Sequence, residues 1–234
     1  MSNQSITFFL PTRKGSERVI DKNTRPFSSI SGGILELKLR QLMDTRSIEK
    51  VVLSTNDEAS MRIAGEIDPR EDKIVVVPRP EQLCLSSTPL VDLIKYVPSI
   101  VETEHIIWGH VTTPFVDGSD YDQGIGMYFK AIKNGYDSLV SVLPFQNFLL
   151  TKPEGKIYNY SGGGTKWPRT QDLEPLYEVN HAMFITKREV YINQSDRIGA
   201  KPFLFEMGKL KSIDIDWEED FKIAEVIYEK LYQS

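Results

Sequence analysis

The sequence predicts an α/β fold, a single open and mostly parallel sheet flanked by helices, and three observations carry that expectation. Between Ile6 and Leu143, short apolar runs of strand length alternate with segments of helical period, the rhythm that crossover connections impose. The chain has 234 residues, 40% hydrophobic and 26% charged, which suits one large domain with a buried core. No internal repeat or low-complexity tail interrupts it. A single domain over residues 1–234 is therefore expected.

Each element has its own signal. Ile6 to Pro11 is the first strand, followed by a polar loop from Thr12 to Arg25. Leu35, Leu39, Leu42 and Met43 recur on one side of a helix over Ile34 to Arg46. Val51 to Thr55 is the second strand, Glu58 to Ile67 a helix and Ile74 to Val77 a third strand. Thr88 before Pro89 has the form of an N-cap followed by proline at the first helical position. His105 to Val111 reads as a buried strand, and Ser119 with Asp122 as a capping box for a helix that ends near Asn134. Leu139 to Leu143 is the next strand.

The rhythm then breaks. Residues 144–178 hold four glycines and four prolines, with Gly162-Gly163-Gly164 as the most flexible point. An irregular stretch of that length inside a domain is expected to be an interaction arm or a functional loop. Strands resume at Ala182 to Thr186 and near Phe203 and Ile213. A last helix from Trp217 carries Trp217, Phe221, Ala224, Tyr228 and Leu231 on its buried stripe.

Composition removes several function classes. Lys and Arg total 28 against 33 Asp and Glu, a net charge of −5, so a globally basic nucleic-acid binder is not expected. No apolar run approaches the roughly 20 residues that cross a bilayer, so no membrane partner is expected. The first ten residues lack a basic start, and their apolar stretch is short for a secretory signal. Cys84 is the only cysteine, which excludes an intrachain disulfide, and three scattered histidines do not make a structural zinc site. A cytoplasmic chain is expected.

The loop from Pro11 through Thr12, Arg13, Gly15 and Ser16 to Lys22 and Asn23 follows the first strand, where open α/β sheets place ligands. Between Arg13 and Arg25, five basic residues face two acidic ones in an otherwise acidic chain. Gly15 allows close backbone approach and Arg13 and Lys22 supply cations, a combination suited to a polyphosphate. A merely solvated charged loop is the alternative. The P-loop pattern is absent, Gly124-Ile125-Gly126 lacks the third glycine of a dinucleotide fingerprint, and Asn159 before Ser161 rules out a hydrolase elbow.

Asp214 and Asp216, two apart on a short strand, point their carboxylates to one face, and such hard oxygen donors suit Mg²⁺ beside a phosphate site. Asp216 with Glu219 also spells a capping box, so metal binding and helix capping both remain open for it. His110 to Pro114 could line a polar pocket through His110 and Thr112 or serve the backbone alone. In the arm, Arg169 has the planar fork that suits a carboxylate, and Gln171 stands beside it. Ordinary solvated charges are the alternative there.

Taken in order, these segments resemble the acylneuraminate cytidylyltransferase family, the CMP-sialic acid and CMP-nonulosonate synthetases. Pro11 to Ser16 with Lys22-Asn23 resembles the family's nucleotide loop, and Arg79-Pro80-Glu81-Gln82-Leu83 its Arg-Pro-x-x-Leu element over the cytosine. His110 to Pro114 stands where the family has Gln-Pro-Thr-Ser-Pro. Arg169 to Glu174 followed by Asn180 resembles the sugar-side segment, and Ser212 to Asp216 the metal motif. The chain departs from the pattern at Glu17, often lysine, at His110, usually glutamine, at Val116, often arginine, and at His181, usually glycine. Most of these departures lie on the sugar side.

The resemblance implies a Rossmann-like nucleotidyltransferase fold that transfers CMP from CTP to the anomeric hydroxyl of a 2-keto sugar acid, releasing pyrophosphate. It implies that Arg13, Lys22 and Asp216 act on the reacting phosphates, with Mg²⁺ on Asp214 and Asp216. Pro11, Thr12, Gly15, Ser16, Asn23, Arg79 and the hydroxyls around Ser87 would hold the nucleotide. His110, Thr112, Arg169, Gln171 and Asn180 would meet the sugar. It further implies a homodimer through an inserted arm at 144–178. Rival readings are a 3-deoxy-manno-octulosonate cytidylyltransferase, a sugar-1-phosphate nucleotidyltransferase and a nucleotide-binding protein of the same fold without turnover.

Overall fold

The computed structural model describes residues 5–162 and 167–232; Gly163 and Gly164 of the predicted glycine run lie outside the described residues. The strands are β1 (Ile6–Pro11), β2 (Lys50–Thr55), β3 (Ile74–Pro78), β4 (His105–Trp108), β5 (Ser138–Phe145), β6 (Leu176–Lys187) and β7 (Pro202–Glu206). The helices are α1 (Gly33–Asp44), α2 (Glu58–Ile67), α3 (Leu90–Tyr96), α4 (Gly118–Lys133), α5 (Arg188–Gln194) and α6 (Glu218–Tyr232). The strands form one sheet in the order β3-β2-β1-β4-β6-β5-β7, parallel except for β6, which runs antiparallel to β4 and β5. The expected open, mostly parallel sheet is present.

The sheet is buried on both faces, which is why β1 is apolar at almost every position. Phe8 and Leu10 point into a core with α1, α2, α4 and α6, built on Leu39, Ile63, Tyr121 and Phe221. Phe9 points the other way, with Val52, Trp108 and Phe184, toward Leu93 of α3 and Tyr191 of α5. Phe9 and Trp108 meet edge to face at 4.7 Å between ring centres. Among the described residues no helix is long and apolar enough to cross a membrane.

Several local expectations are corrected by side chains that found other partners. The box that opens α4 is Asp117 with Asp120, not Ser119 with Asp122. Asp122 instead accepts the backbone N–H groups of Arg46 and Ser47, stapling the turn between α1 and β2. Thr88 caps nothing: its hydroxyl donates to the carbonyl of Gln82 at 2.6 Å, and Pro89 stands outside α3. The strand expected to Val111 ends at Trp108. A Cβ on Gly109 would lie 2.4 Å from the Phe8 ring, so the chain there presses against β1 and then turns. β6 begins at Leu176, six residues before its expected start, because it pairs with the far end of β5 at Phe145. Residues 212–216 form no strand; Trp217, expected to open the last helix, stands just before α6 and is exposed, as is Leu231 on it, and the buried residues of α6 are Phe221 and Ala224.

Gly33 positions the loop that precedes α1. Its φ is +68°, and a Cβ would stand 2.3 Å from the carbonyl oxygen of Arg25 and 2.8 Å from that of Asn23. Only glycine lets the 12–25 segment fold down onto the start of the helix. At the other side of that segment, Arg25 makes a paired contact with Glu218 at 3.1 and 3.2 Å and lies 3.9 Å over the Phe221 ring. Two anchors, one on α1 and one on α6, thus hold the basic loop over the end of β1.

Candidate active site

The C-terminal ends of β1 to β4 open into a cleft of about 670 Å³, where an open α/β sheet places its ligands. Across the sheet, Arg79 and the turn after it stand over β3, the basic loop over β1, and His110 and His181 over β4 and β6.

The basic loop supplies one wall. Pro11, Thr12, Arg13, Ser16, Lys22 and Asn23 line the cleft. Arg13 donates to the carbonyl of Cys84 at 3.4 Å, tying the loop to the turn after β3. Gly15, at φ +76°, faces an adjoining hollow on the outer side of the loop and not the main cleft. Lys22 donates to the carbonyl of Ile215 at 2.7 Å and stands 4.0 Å from Asp216. Burial lowers the Lys22 pKa, with Asp216 and Asp214 acting against that shift.

The 212–216 segment adjoins that loop. It forms no strand and is held by the Ile215 N–H donating to the Thr112 carbonyl at 2.9 Å. Ile215 is buried while Asp214 and Asp216 both line the cleft, so the alternation expected for this segment survives the loss of the strand. The carboxylate of Asp216 pairs with Arg18 at 3.0 Å, and the start of α6 is capped by Asp220, which accepts the N–H groups of Asp216 and Trp217. The Asp216–Glu219 capping box is not formed. Burial raises the Asp214 pKa, with the Thr112 hydroxyl, His181 and Lys22 opposing it and Asp216 adding to it. Oδ1 of Asp214 is buried without a hydrogen-bond partner. A buried carboxylate oxygen with no donor beside a second carboxylate is what a hard divalent cation takes. Among the described residues no three His, Cys, Asp or Glu side chains gather into a metal cluster, so such an ion would be completed by ligand oxygens and water.

At the β3 end, Arg79 is buried and donates to the Ser54 carbonyl at 2.6 Å while still lining the cleft. Ser86 and Thr88 line it too, whereas Ser87 is exposed and does not. At the other end stand His110 and Thr112. Asn180 lies behind the cleft wall: Oδ1 accepts from the Ser141 hydroxyl at 2.6 Å and the amide donates to the Ser212 hydroxyl at 2.9 Å. Arg169 and Gln171 lie outside the cleft, and Arg169 is exposed with both guanidinium contacts, at 2.8 and 2.9 Å, on Asp172.

Sequence reasoning missed three residues. Arg18 is the Asp216 partner, His181 lines the cleft at φ +59°, and Arg197 donates to Nε2 of His110 at 3.3 Å. The basic loop contained a signal for Arg18. Nothing local marks Arg197, 87 residues from its partner in the chain.

The sequence matches the Cytidylyltransferase family over residues 7–232. Curated relatives include the N-acylneuraminate cytidylyltransferase of Escherichia coli O18:K1:H7 (strain RS218 / NMEC), 26% identical over 96% of this chain and 52% of that protein. The N-acylneuraminate cytidylyltransferase of Streptococcus agalactiae serotype III (strain NEM316) is 25% identical over 91% of this chain and 50% of its own length. The chain therefore spans about half the length of these relatives. Among solved structures, CMP:2-keto-3-deoxy-manno-octonic acid synthetase complexed with CTP superposes with a TM-score of 0.67 at 10% identity, covering 97% of this chain and 99% of that one. That likeness is one of fold.

Proposed function

Because the chain belongs to the cytidylyltransferase family, we propose that it transfers CMP from CTP to the anomeric hydroxyl of a sialic-acid-like 2-keto sugar acid and releases pyrophosphate. The observation that carries this reading is the meeting, within one cleft, of a basic loop, Arg13 to Lys22, and the Asp214–Asp216 carboxylates, Lys22 and Asp216 lying 4.0 Å apart.

In the reaction, the anomeric oxygen forms a bond to the α-phosphorus as the bridge to the β-phosphate breaks. The electron pair leaves with pyrophosphate, and the hydroxyl proton passes to solvent. Negative charge grows on the departing phosphates, where Arg13 and Lys22 would absorb it. Pro11, Thr12 and Ser16 would hold the triphosphate, and Asn23, Arg79 and the hydroxyls of Ser86 and Thr88 the nucleoside, while Gly15 and Ser87, outside the main cleft, would touch neither. Asp214 and Asp216 would hold Mg²⁺, which when bound neutralises phosphate charge and orients the leaving group. His110, Thr112 and Asn180 would meet or support the acceptor. Arg169 and Gln171 do not line the cleft of their own chain, so they would meet an acceptor only in the cleft of a second copy.

That assignment goes with a homodimer built through residues 144–178. Leu150, Tyr158 and Trp167 are each more than half exposed there, and a two-fold partner would bury them. A cytoplasmic location belongs to the same reading.

Pyrophosphate release tests the whole reading: the purified chain is given CTP, ATP, GTP or UTP with a panel of sialic acids and 3-deoxy-manno-octulosonate. Release with CTP and a sialic-type acid is expected. Activity with 3-deoxy-manno-octulosonate alone would assign the smaller sugar, and comparable release from all four nucleotides would overturn the CTP assignment.

A further inference from the structure

We infer that the acceptor's carboxylate is held within a single chain by His110 and His181, at the β4–β6 end of the cleft, with Arg197 as the positioning residue behind them. The inference rests on the proposed transfer to a sugar acid and names the subsite for its charged group.

His181 comes first because its backbone is unusual. It sits inside β6 at φ +59°, a left-handed conformation that costs a side-chain-bearing residue free energy unless its surroundings impose it. The surroundings do. Asn180, immediately before it, accepts from the Ser141 hydroxyl at 2.6 Å and from the Ala182 N–H at 3.3 Å, while its amide donates to Ser212. The β5–β6 register slips at the same point, between Val140 and Val142. The consequence is that the His181 ring turns into the cleft and meets His110 edge to face, 5.7 Å between centres.

His110 is fixed in one chemical form. The indole N–H of Trp108 donates to its Nε2 at 3.2 Å, and Arg197 contacts the same nitrogen at 3.3 Å. With Nε2 accepting, the proton sits on Nδ1. Burial, and then the Arg197 charge, hold the His110 pKa well below the ordinary histidine value. His110 therefore presents a neutral N–H donor and is no general base.

Arg197 lies 3.8 Å over the Phe184 ring and 4.9 Å over Trp108, largely out of water, and among the described residues it makes no ion pair with a carboxylate. Its nearest carboxylate, that of the exposed Asp196, is turned to the backbone N–H groups of Arg197 and Ile198 and forms no ion pair with the guanidinium, so a partly buried cation still favours an anion in the adjoining space. Arg169, the residue first expected to meet a carboxylate, already has one in Asp172. The strand order completes the argument. Arg79 stands over β3 and the two histidines over β4 and β6, with the phosphate-type loop of β1 between them. An acceptor bound at the end of the cleft away from Arg79 meets the two histidines.

The test compares a sugar acid with its methyl ester in the wild type, Arg197→Met, Arg197→Lys and His181→Gly. Glycine adopts a positive φ freely, so His181→Gly keeps the backbone, and thermal unfolding checks that each variant is folded. The acid KM is expected to rise about ten-fold in Arg197→Met and His181→Gly, as loss of a charge-assisted contact implies. The CTP KM and the ester KM should stay unchanged, and Arg197→Lys should recover part of the loss. Independently of turnover, ¹⁵N spectra should find His110 protonated on Nδ1 and both imidazoles shifted by the acid but not by the ester. An unchanged preference for acid over ester in the variants, or His110 protonated on Nε2, overturns the subsite. Imidazole shifts with the acid but no pyrophosphate release from any acid would instead overturn the transfer reading and leave the subsite standing.

Discussion

The carboxylate of Asp216 meets the guanidinium of Arg18 at 3.0 Å and leaves the capping of α6 to Asp220. Because this contact is half exposed, it adds at most about 1 kcal/mol to stability. Asp216→Asn should therefore shift the thermal midpoint by no more than about 4 °C. Turnover should fall on the order of a hundred-fold, the scale of losing one group that acts on transition-state charge. Asp214→Asn should behave alike, and added Mg²⁺ should recover part of either loss. Wild-type turnover in both variants at limiting Mg²⁺ would remove the carboxylates from the reaction.

Lys38 is fully buried, donating to the carbonyls of Thr113 and Val116 and to the Tyr121 hydroxyl, each at 2.9 Å. It thereby anchors the loop that carries His110 and Thr112. Burial pushes its pKa down from 10.5 to about 7. Between about pH 7 and 10.5 the unfolded chain keeps this proton while the folded one does not, so stability rises with pH across that window. Relative to Lys38→Met, the wild type should gain up to about 1.4 kcal/mol per pH unit above pH 7. Urea unfolding of both proteins at pH 7 and pH 9 measures this, and a difference that stays flat would mean Lys38 remains charged.

Gly33→Ala places a methyl 2.3 Å from the Arg25 carbonyl at a backbone φ of +68°. The expected loss is on the order of 3 kcal/mol, from strain at a left-handed position together with displacement of the loop. CTP affinity should weaken in the same variant, because the basic loop rests on this contact. Calorimetric titration with CTP at a temperature where the variant is folded reads that effect.

The arm predicts an oligomer. Leu150→Ser combined with Tyr158→Ser removes two side chains that are 58% and 66% exposed, so the monomer fold should be barely affected. Sedimentation should report a dimer for the wild type at micromolar concentration and a monomer for the double variant. A wild-type monomer under those conditions would count against the arm as an interface.

Much of the fold was legible because it depends on neighbours in the chain. The α2 helix falls on Glu58–Ile67 as its periodicity predicts, and β1, β2 and β3 within a residue, since apolar period and capping chemistry are local properties. The capping partners were not legible in the same way. Asp122 has the spacing of a capping residue but binds the N–H groups of Arg46 and Ser47, more than 70 residues earlier. Spacing identifies which groups can bond; folding decides among competitors.

The sequence by itself determined an α/β chain, a basic loop at the end of the first strand and two acidic residues aimed one way, because charge, period and alternation are written residue by residue. Tertiary structure alone decided that an antiparallel β6 enters the sheet between β4 and β5, bringing His181 beside His110 and Arg197 behind both. It also decided that Arg169 faces solvent while Asp214 faces the cleft. These outcomes depend on which distant surfaces bury one another, since packing and desolvation act through space and a linear pattern records only separation along the chain.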